Sequence, residues 1–110
     1  MKYSFTTYYP FDKEFKRLAK KYPSLKQDIQ QLRKDISNKN QLGTDLGGGL
    51  HKIRIAISSK GKGKSGGARV LSLNILVSAN ETEIGFLYIY DKSERNNISD
   101  KEIKSLLQEI

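Results

Sequence analysis

The chain has 110 residues, a formal net charge of +8 and no cysteine. This length is typical of one domain, so we predict a single domain over residues 1–110. The charge favours nucleic acid, ribosomes or acidic proteins as partners, and the lack of cysteine excludes disulfides, thiolate metal sites and a cysteine nucleophile. The opening residues form no signal peptide and no apolar run approaches the roughly 20 residues of a membrane span, so we expect a cytoplasmic protein with no membrane partner.

The first part of the chain predicts one strand followed by two helices. Residues 3–9 are aromatic and β-branched, which is typical of a strand, and Pro10 ends it. Apolar residues then recur at steps of three and four in residues 11–22 and again in residues 25–36. This spacing gives each segment one apolar helix face, so we predict an antiparallel helical hairpin.

The rest of the chain predicts a loop, three strands and a last helix. Residues 37–50 are polar and glycine-rich and predict a connecting loop. Strands follow at residues 51–57, 69–77 and 83–90, and the last of these is so apolar that we expect it to be central in the sheet. A helix begins near Ser99, which gives the order β-α-α-β-β-β-α.

Two helices carry a capping-box pattern at their start. Ser24 is followed three residues later by Gln27, and Ser99 by Glu102. In such a box the serine side chain and the later side chain each bond a free backbone amide of the first turn. We therefore predict that these serines are N-caps.

The positive charge is concentrated in the first two-thirds of the chain. Residues 46–80 carry six basic residues and no acidic one, and residues 11–39 carry nine basic and four acidic residues. Residues 81–110 reverse the balance, with four basic and seven acidic residues. This unevenness predicts a one-sided positive face rather than general solubilisation.

Strict alternation in the first hairpin strand predicts where that face lies. Ile53, Ile55 and Ile57 point to one side of the strand, and Lys52 and Arg54 point to the other. The sheet should therefore have one buried face and one basic face.

The most distinctive segment is residues 58–67, which we name the lysine loop. Its glycines fit a G-x-G-x-x-G pattern, but a dinucleotide fingerprint runs from strand into helix, and here a strand follows. Glycine lets backbone amides approach phosphate closely, and lysine supplies charge without fixed geometry. We predict that the loop binds a nucleic-acid backbone through Lys60, Lys62 and Lys64; the alternative is an ordinary solvated turn.

The sequence contains no standard catalytic constellation and no cluster of metal ligands. His51 has no identifiable acid partner, so we interpret it as a strand-edge or loop residue rather than a general base. Asp91 and Glu94, which flank Lys92 and Arg95, are either catalytic or an ordinary solvated charge run. We expect no metal and no cofactor.

Two phrases of the sequence resemble a known family. Residues 61–70 (GKGKSGGARV) and residues 90–94 (YDKSE), followed by a serine-capped helix, resemble the RelE/ParE toxin superfamily and, within it, the HigB-like branch. The order of predicted elements agrees over nearly the whole chain. The resemblance implies an α+β, RelE-like fold, in which a mainly antiparallel sheet packs against a helical hairpin and presents a basic concave face.

The resemblance also implies a function. Such a type II toxin cleaves messenger RNA in the ribosomal decoding site without a metal, and it is neutralised by a cognate antitoxin, in whose complexes the toxin is monomeric. By position, Lys52 and Arg54 match the family's basic pair on the first hairpin strand. Arg69 matches the arginine that opens the next strand, and Lys92 and Arg95 match its late basic residues.

One departure from the family concerns a tyrosine. RelE itself has this tyrosine near the start of the last helix, whereas this chain has Ile98–Ser99 there. Either Tyr90 substitutes for it, or the role is absent from this chain.

The expected reaction starts from the ribose 2′-hydroxyl of the RNA, which attacks the adjacent phosphate. The products are a 2′,3′-cyclic phosphate and a 5′-hydroxyl. We predict that Arg69 clamps the phosphate with Arg54 beside it, because a guanidinium forks onto two oxygens. Lys92 is the candidate base, since a lysine among other cations loses its proton more readily, and Glu94 competes with it. The residues predicted to hold the RNA are Lys52, Lys60, Lys62, Lys64 and Arg95.

Two other classes of function stay open. A ParE-like inhibitor of DNA gyrase shares the fold, but it needs no cationic site for phosphate chemistry. A non-catalytic RNA-binding module would expose stacking aromatics, whereas most tyrosines here lie in strands that we expect to be buried.

Overall fold

The computed structural model describes all 110 residues and contains three α-helices and five strands. The helices are α1 (Tyr9–Lys21), α2 (Leu25–Lys39) and α3 (Asp100–Gln108). The strands are β1 (Lys2–Thr7), β2 (Thr44–Gly47), β3 (Leu50–Ile55), β4 (Ala68–Ser78) and β5 (Glu81–Asp91). None of the helices combines the length and the apolar character needed to cross a membrane.

The strands form one sheet in the order β1-β5-β4-β3-β2. Only β1 and β5 run parallel, and the other three pairings are antiparallel. The sheet is therefore mainly antiparallel, as predicted. The central place of β5 is also confirmed: its apolar run is covered on both faces of the sheet, which is what such a run requires.

Apolar clusters lie on both faces of the sheet. On one face, α1 and α2 pack their apolar stripes against the strands, and this cluster contains Leu18, Leu25, Ile29, Leu32, Ile36, Ile53, Ile55, Val70, Ile84, Phe86 and Ile89. On the opposite face, α3 covers a smaller cluster of Leu71, Leu87, Tyr90, Ile98 and Ile103. The arrangement confirms the α+β fold and the helical hairpin.

One strand was not predicted. Residues 44–47 lie in the segment expected to be a loop, yet they form β2 and pair with β3 across a bulge at Asp45–Gly47. All four residues are exposed. A short, exposed edge strand has no buried face, so it leaves no alternation in the sequence from which it could be predicted.

Two helix starts differ from the prediction. Pro10 lies in the first turn of α1 rather than after a strand that includes Tyr9, because proline fits the first helical positions, where its missing N–H is not needed. The capping box at Ser24 is wrong: the serine has a helical backbone, and its hydroxyl donates to Asp28. The capping box of Ser99 and Glu102 is confirmed.

Candidate phosphate-binding site

Three side chains form a row across the sheet on the face that α1 and α2 do not cover. Arg54 of β3 is the register partner of Arg69 of β4, and Arg69 is the partner of Tyr90 of β5. Directly opposed residues share a face of the sheet and have Cβ atoms about 4.5–5.5 Å apart. We name these three residues the cross-sheet row. Ile53 and Ile55 lie in the core on the other face, so the predicted alternation of β3 is confirmed.

Arg69 is held in place by the backbone while part of its guanidinium stays free. Its Nη1 donates to the carbonyls of Lys64 (3.0 Å) and Ala68 (3.2 Å), and no other atom of the side chain has a protein partner. The residue is only 7% exposed. Burial lowers the pKa of Arg69, and the neighbouring charge of Arg54 lowers it further. The free Nε–Nη2 edge is the side of a guanidinium that grips two oxygens of an anion.

No carboxylate compensates these two arginines. The structure has eight salt bridges, and none involves Lys52, Arg54, Lys62, Lys64, Arg69 or Lys92. Two adjacent guanidiniums without a counter-ion repel each other, and the buried one has lost hydration as well. A ligand anion would remove both penalties, so the row is arranged to bind one.

The glycine pair before Arg69 brings the lysine loop against β3. A side chain at Gly67 would collide with the carbonyl oxygen of Ile55, so only glycine permits this approach. Three residues before this close passage, the carbonyl of Lys64 accepts from Arg69. The loop therefore orients Arg69 through the backbone carbonyl of Lys64, independently of the lysine side chains of the loop.

Tyr90 sits between two cations. Its residue is 3% exposed, Arg69 is its partner on β4, and the Arg95 guanidinium lies 5.6 Å from its ring centroid. Burial raises the pKa of the Tyr90 phenol, although Arg69 and Arg95 oppose that effect. The phenol is therefore a hydrogen-bond donor at neutral pH.

Residues 92–97 form the border of the site after β5. Lys92 continues the ladder through its amide to Gly67 (3.0 Å), and its Nζ donates to the carbonyl of Asn96 (2.8 Å). Lys52 reaches the same segment, with its Nζ 3.0 Å from Oδ1 of Asn97. The contacts with Asn96 and Asn97 bring Lys52 and Lys92 to one place.

Arg95 also lies in this border segment, but unlike Lys52 and Lys92 it is paired with a carboxylate. It donates to both carboxylate oxygens of Glu102, at 2.8 and 2.6 Å, and Glu102 also completes the cap of α3. The hydrogen bond to Glu102 raises the pKa of Arg95. Its charge is thus compensated, and it is less available to RNA than predicted.

The lysine loop divides into two parts. Lys62 and Lys64 are exposed, which agrees with their predicted role as backbone-binding residues. Lys60 is placed differently: its side chain is 8% exposed and its Nζ lies 2.8 Å from Oδ1 of the fully buried Asp91. The prediction that Lys60 binds RNA is corrected here, because this ammonium is already paired inside the protein.

The acidic residues after Tyr90 do not join the cross-sheet row. Glu94 accepts two hydrogen bonds from Arg17 of α1, at 3.0 and 2.7 Å, and these bonds lower the pKa of its carboxyl. A carboxylate with a lowered pKa is a weaker base, so the structure argues against Glu94 as the competing general base. Asp91 is buried, so the interpretation as a solvated charge run is wrong for Asp91, whereas Glu94 is exposed.

An open groove of about 630 Å³ runs beside the row, between α2 and the outer edge of β3. Lys52, Arg54 and Lys64 line one part of it, and Asp28 and Asp35 of α2 line another. An extended anionic chain in this groove would follow its basic side. No cluster of three or more His, Cys, Asp or Glu side chains that could hold a metal ion is present.

His51 lies outside this constellation. Its Nδ1 is 3.1 Å from the side-chain nitrogen of Asn74 and 3.3 Å from the carbonyl oxygen of Gly49, and no carboxylate contacts it. It is a residue of β3, in agreement with its interpretation as a strand histidine.

The fold and the cross-sheet row define a small α+β protein with two uncompensated arginines on one face of its sheet. Its family follows from comparison with known proteins: the family described as RelE toxin of RelE / RelB toxin-antitoxin system matches residues 11–109. No curated protein matches the chain. The chain belongs to the RelE toxin family, within the RelE/ParE superfamily. It is therefore a toxin of a toxin–antitoxin system, and its partner is an antitoxin.

Proposed function

We propose that this toxin is a metal-independent endoribonuclease that cleaves messenger RNA on the ribosome. The observation that carries the proposal is the uncompensated pair of Arg54 and Arg69 on an open sheet face. A phosphodiester that becomes more negative in the transition state is the ligand that such a pair stabilises most. A ParE-like gyrase inhibitor has no need for two unpaired guanidiniums.

The reaction needs four things from the protein: a clamp for the phosphate, added positive charge, a hydrogen-bond donor and a base. The RNA supplies the nucleophile, its 2′-hydroxyl, which loses a proton as the 2′-oxygen bonds to phosphorus and the bond to the 5′-oxygen breaks. In this proposal the free edge of Arg69 clamps the phosphate oxygens, and Arg54 adds charge beside it. Tyr90, which stays protonated, donates a hydrogen bond to the phosphate or to the departing 5′-oxygen, and that oxygen takes a proton from solvent to leave as the 5′-hydroxyl. The fourth requirement is a base.

Lys92 is our proposed general base. Its amide donates to Gly67 and its Nζ to Asn96, so it is better anchored than the lysines of the loop tip. The step requires the neutral amine, which can keep donating to Asn96 while its lone pair accepts the 2′-hydroxyl proton. Tyr90 is a poorer candidate because burial raises the pKa of its phenol. At saturating ribosome complex, Lys92→Ala should lower the single-turnover rate by about 10²–10⁴-fold. Normal cleavage by that variant would assign the base to another group.

The wider setting of the proposal follows from the substrate. A toxin that acts on translating ribosomes works in the cytoplasm, and Lys62 and Lys64 supply sequence-independent attraction to RNA. We further propose a single domain over residues 1–110, a HigB-like branch of the family, and an antitoxin complex in which the toxin is monomeric. The antitoxin would neutralise the toxin by blocking access to the cross-sheet row.

The decisive experiment compares targets. Purified protein is incubated with messenger RNA bound to ribosomes, with the same RNA alone, and with DNA gyrase and supercoiled plasmid. We expect cleavage of ribosome-bound RNA, with 2′,3′-cyclic phosphate ends, and normal gyrase activity. Inhibited gyrase with intact RNA would identify a ParE-like toxin. RNA binding without cleavage would identify a binding module.

A further inference from the structure

A buried ion-pair cluster lies directly behind the cross-sheet row. Asp91 is fully buried and accepts from Nζ of Lys60 (2.8 Å), the phenol of Tyr22, and the amide (2.9 Å) and hydroxyl (2.8 Å) of Ser93. Lys21 approaches to 3.9 Å. We name these five residues the Asp91 cluster. They come from three distant parts of the chain: the end of α1 with the residue after it, the lysine loop, and the end of β5 with the segment after it.

The cluster holds both segments that border the proposed active site. Lys60 is the last residue of the short 3-10 turn that opens the lysine loop, and the same loop supplies the Lys64 carbonyl that orients Arg69. Ser93 lies between Lys92 and Arg95 in the segment after β5. The amides of Glu94 and Arg95 also donate to the carbonyl of Asp91, at 3.0 and 3.1 Å. One carboxylate thus joins the two walls of the site from behind.

Both ends of the lysine loop have other anchors: the amide of Lys92 donates to the carbonyl of Gly67 at the exit, and two serines hold the entrance. Ser58 donates to Asp28 through its amide (3.0 Å) and its hydroxyl (2.6 Å), and the amide of Ser59 donates to the Ser24 hydroxyl (2.9 Å). Lys60 is the last side chain with such an anchor before the exposed tip. Its ammonium also lies 5.3 Å from the ring centroid of Tyr22. Without the bond from Lys60 to Asp91, the unanchored part of the loop would begin at Lys60 instead of Gly61.

We propose that Asp91 is a positioning residue for the RNA-cleaving site, acting through Lys60 on the loop that orients Arg69 and through Ser93 on the segment that carries Lys92. This inference rests on the proposed function. A misplacement of about 1 Å at a reacting centre can lower a rate by about 10²-fold. Burial alone would raise the pKa of Asp91, but the hydrogen bonds from Lys60, Tyr22 and Ser93 hold it well below its usual range, so the carboxylate stays charged at neutral pH.

The test uses a variant that loosens the cluster without leaving a buried charge. Asp91→Asn combined with Lys60→Met removes both charges and keeps the volumes similar. We expect the single-turnover rate at saturating ribosome complex to fall by about 10–100-fold, while KM changes less than about two-fold. The rate is corrected for the folded fraction, which a thermal melt gives. Arg17→Gln is the matched control, because it breaks an ion pair to the same segment at Glu94 but leaves Asp91 untouched, and its rate should be unchanged.

A second readout does not depend on activity. In the double variant, hydrogen exchange at the amides of Gly61 and Gly67 should accelerate by at least about ten-fold, while exchange in β4 and β5 stays as in the wild type. Unchanged exchange at both glycines overturns the proposal, and so does a loosened loop with a normal rate. If the wild type cleaves no ribosome-bound RNA, the proposed function fails, and the exchange result alone decides whether Asp91 positions the loop. If the double variant does not fold, Lys60→Met alone is measured, since Asp91 then keeps its bonds from Tyr22 and Ser93.

Discussion

Tyr90 and Asp91 are neighbours in β5, yet their side chains lie in clusters of opposite character. Asp91 meets Lys60, Tyr22 and Ser93, and its charge is fully compensated. Tyr90 joins a row with Arg69 and Arg54, where two cations have no carboxylate partner. The compensated cluster stabilises the fold by itself. The uncompensated row is complete only with an anion, so missing counter-charge, rather than charge as such, marks the candidate site.

The largest effect is expected in the compensated cluster. Asp91→Ala leaves the buried ammonium of Lys60 without its partner, and breaking a buried pair in this way costs about 3–5 kcal/mol of unfolding free energy. Urea denaturation at pH 7 measures the loss. A change below about 1 kcal/mol would mean that Lys60 reaches solvent easily, and the contrast between the two clusters would fail.

The same pair has a defined pH dependence. The folded-state pKa of Asp91 is lowered, so its stabilising contribution is present above the unfolded value of about 4 and is lost as the pH falls toward the folded pKa. Asp91→Asn lacks this contribution. Denaturation curves of wild type and variant should therefore converge as the pH falls below about 4, and a constant difference down to pH 2 would contradict this sign.

The opposite pattern is expected at the cross-sheet row. Arg69→Ala should reduce the cleavage rate by at least about 10²–10³-fold, equivalent to about 2.7–4 kcal/mol of barrier. The unfolding free energy should change by no more than about 1 kcal/mol, because the lost hydrogen bonds to two carbonyls are offset by relief from the charge of Arg54. Arg69→Lys should also cleave poorly, since a point charge cannot replace the fork. Full activity of the lysine variant would remove the bidentate clamp.

A smaller effect is expected at the loop tip. Lys62→Ala with Lys64→Ala removes two exposed phosphate contacts, so binding to ribosomes should weaken by on the order of ten-fold. The slope of log affinity against log salt should fall by about 1.4, at roughly 0.7 for each single-strand contact. Cleavage of complex that is already bound should change little. A slow rate at saturation would show that these lysines act in the chemistry.

The smallest effect is expected at Glu94. Its pair with Arg17 is partly exposed, with 31% and 50% of the two side chains accessible, so Glu94→Gln should cost less than about 1 kcal/mol of stability. Cleavage should stay within about two-fold of wild type across pH 6–8. Loss of cleavage with the fold intact would restore Glu94 as the general base.

Much of this molecule could be predicted from local patterns. Strict alternation in residues 51–57 located the basic face, and apolar spacing located both helices of the hairpin. The pairing of Arg54 with Arg69 needed the register of β3 against β4, which no local pattern contains. β2 was not predicted because all its residues are exposed, so its sequence shows no alternation of apolar and polar residues.

Lys60 shows most clearly where local reasoning stops. In the sequence it is one of three similar lysines among glycines. Only its ion pair with Asp91, which lies 31 positions later in the chain, distinguishes it from the other two. A signal was present: counting alternate residues in β5 puts Asp91 on the same face as the buried Ile89. A carboxylate on a buried face requires a partner, but the sequence does not say which cation supplies it.

The parallel pairing of β1 with β5 has a consequence for synthesis. Residues 2–7 pair only with residues 81–86, so β1, the first strand to be synthesised, cannot join the sheet until β5, the last strand, has been made. Tyr90 and Asp91 complete the row and the cluster later still. At about 5–20 residues per second, a nascent chain spends several seconds without the groups that would let it cleave RNA. Under the proposed function, a ribosome that makes this toxin carries no complete site until residues 81–91 have been synthesised and β5 has paired with β1.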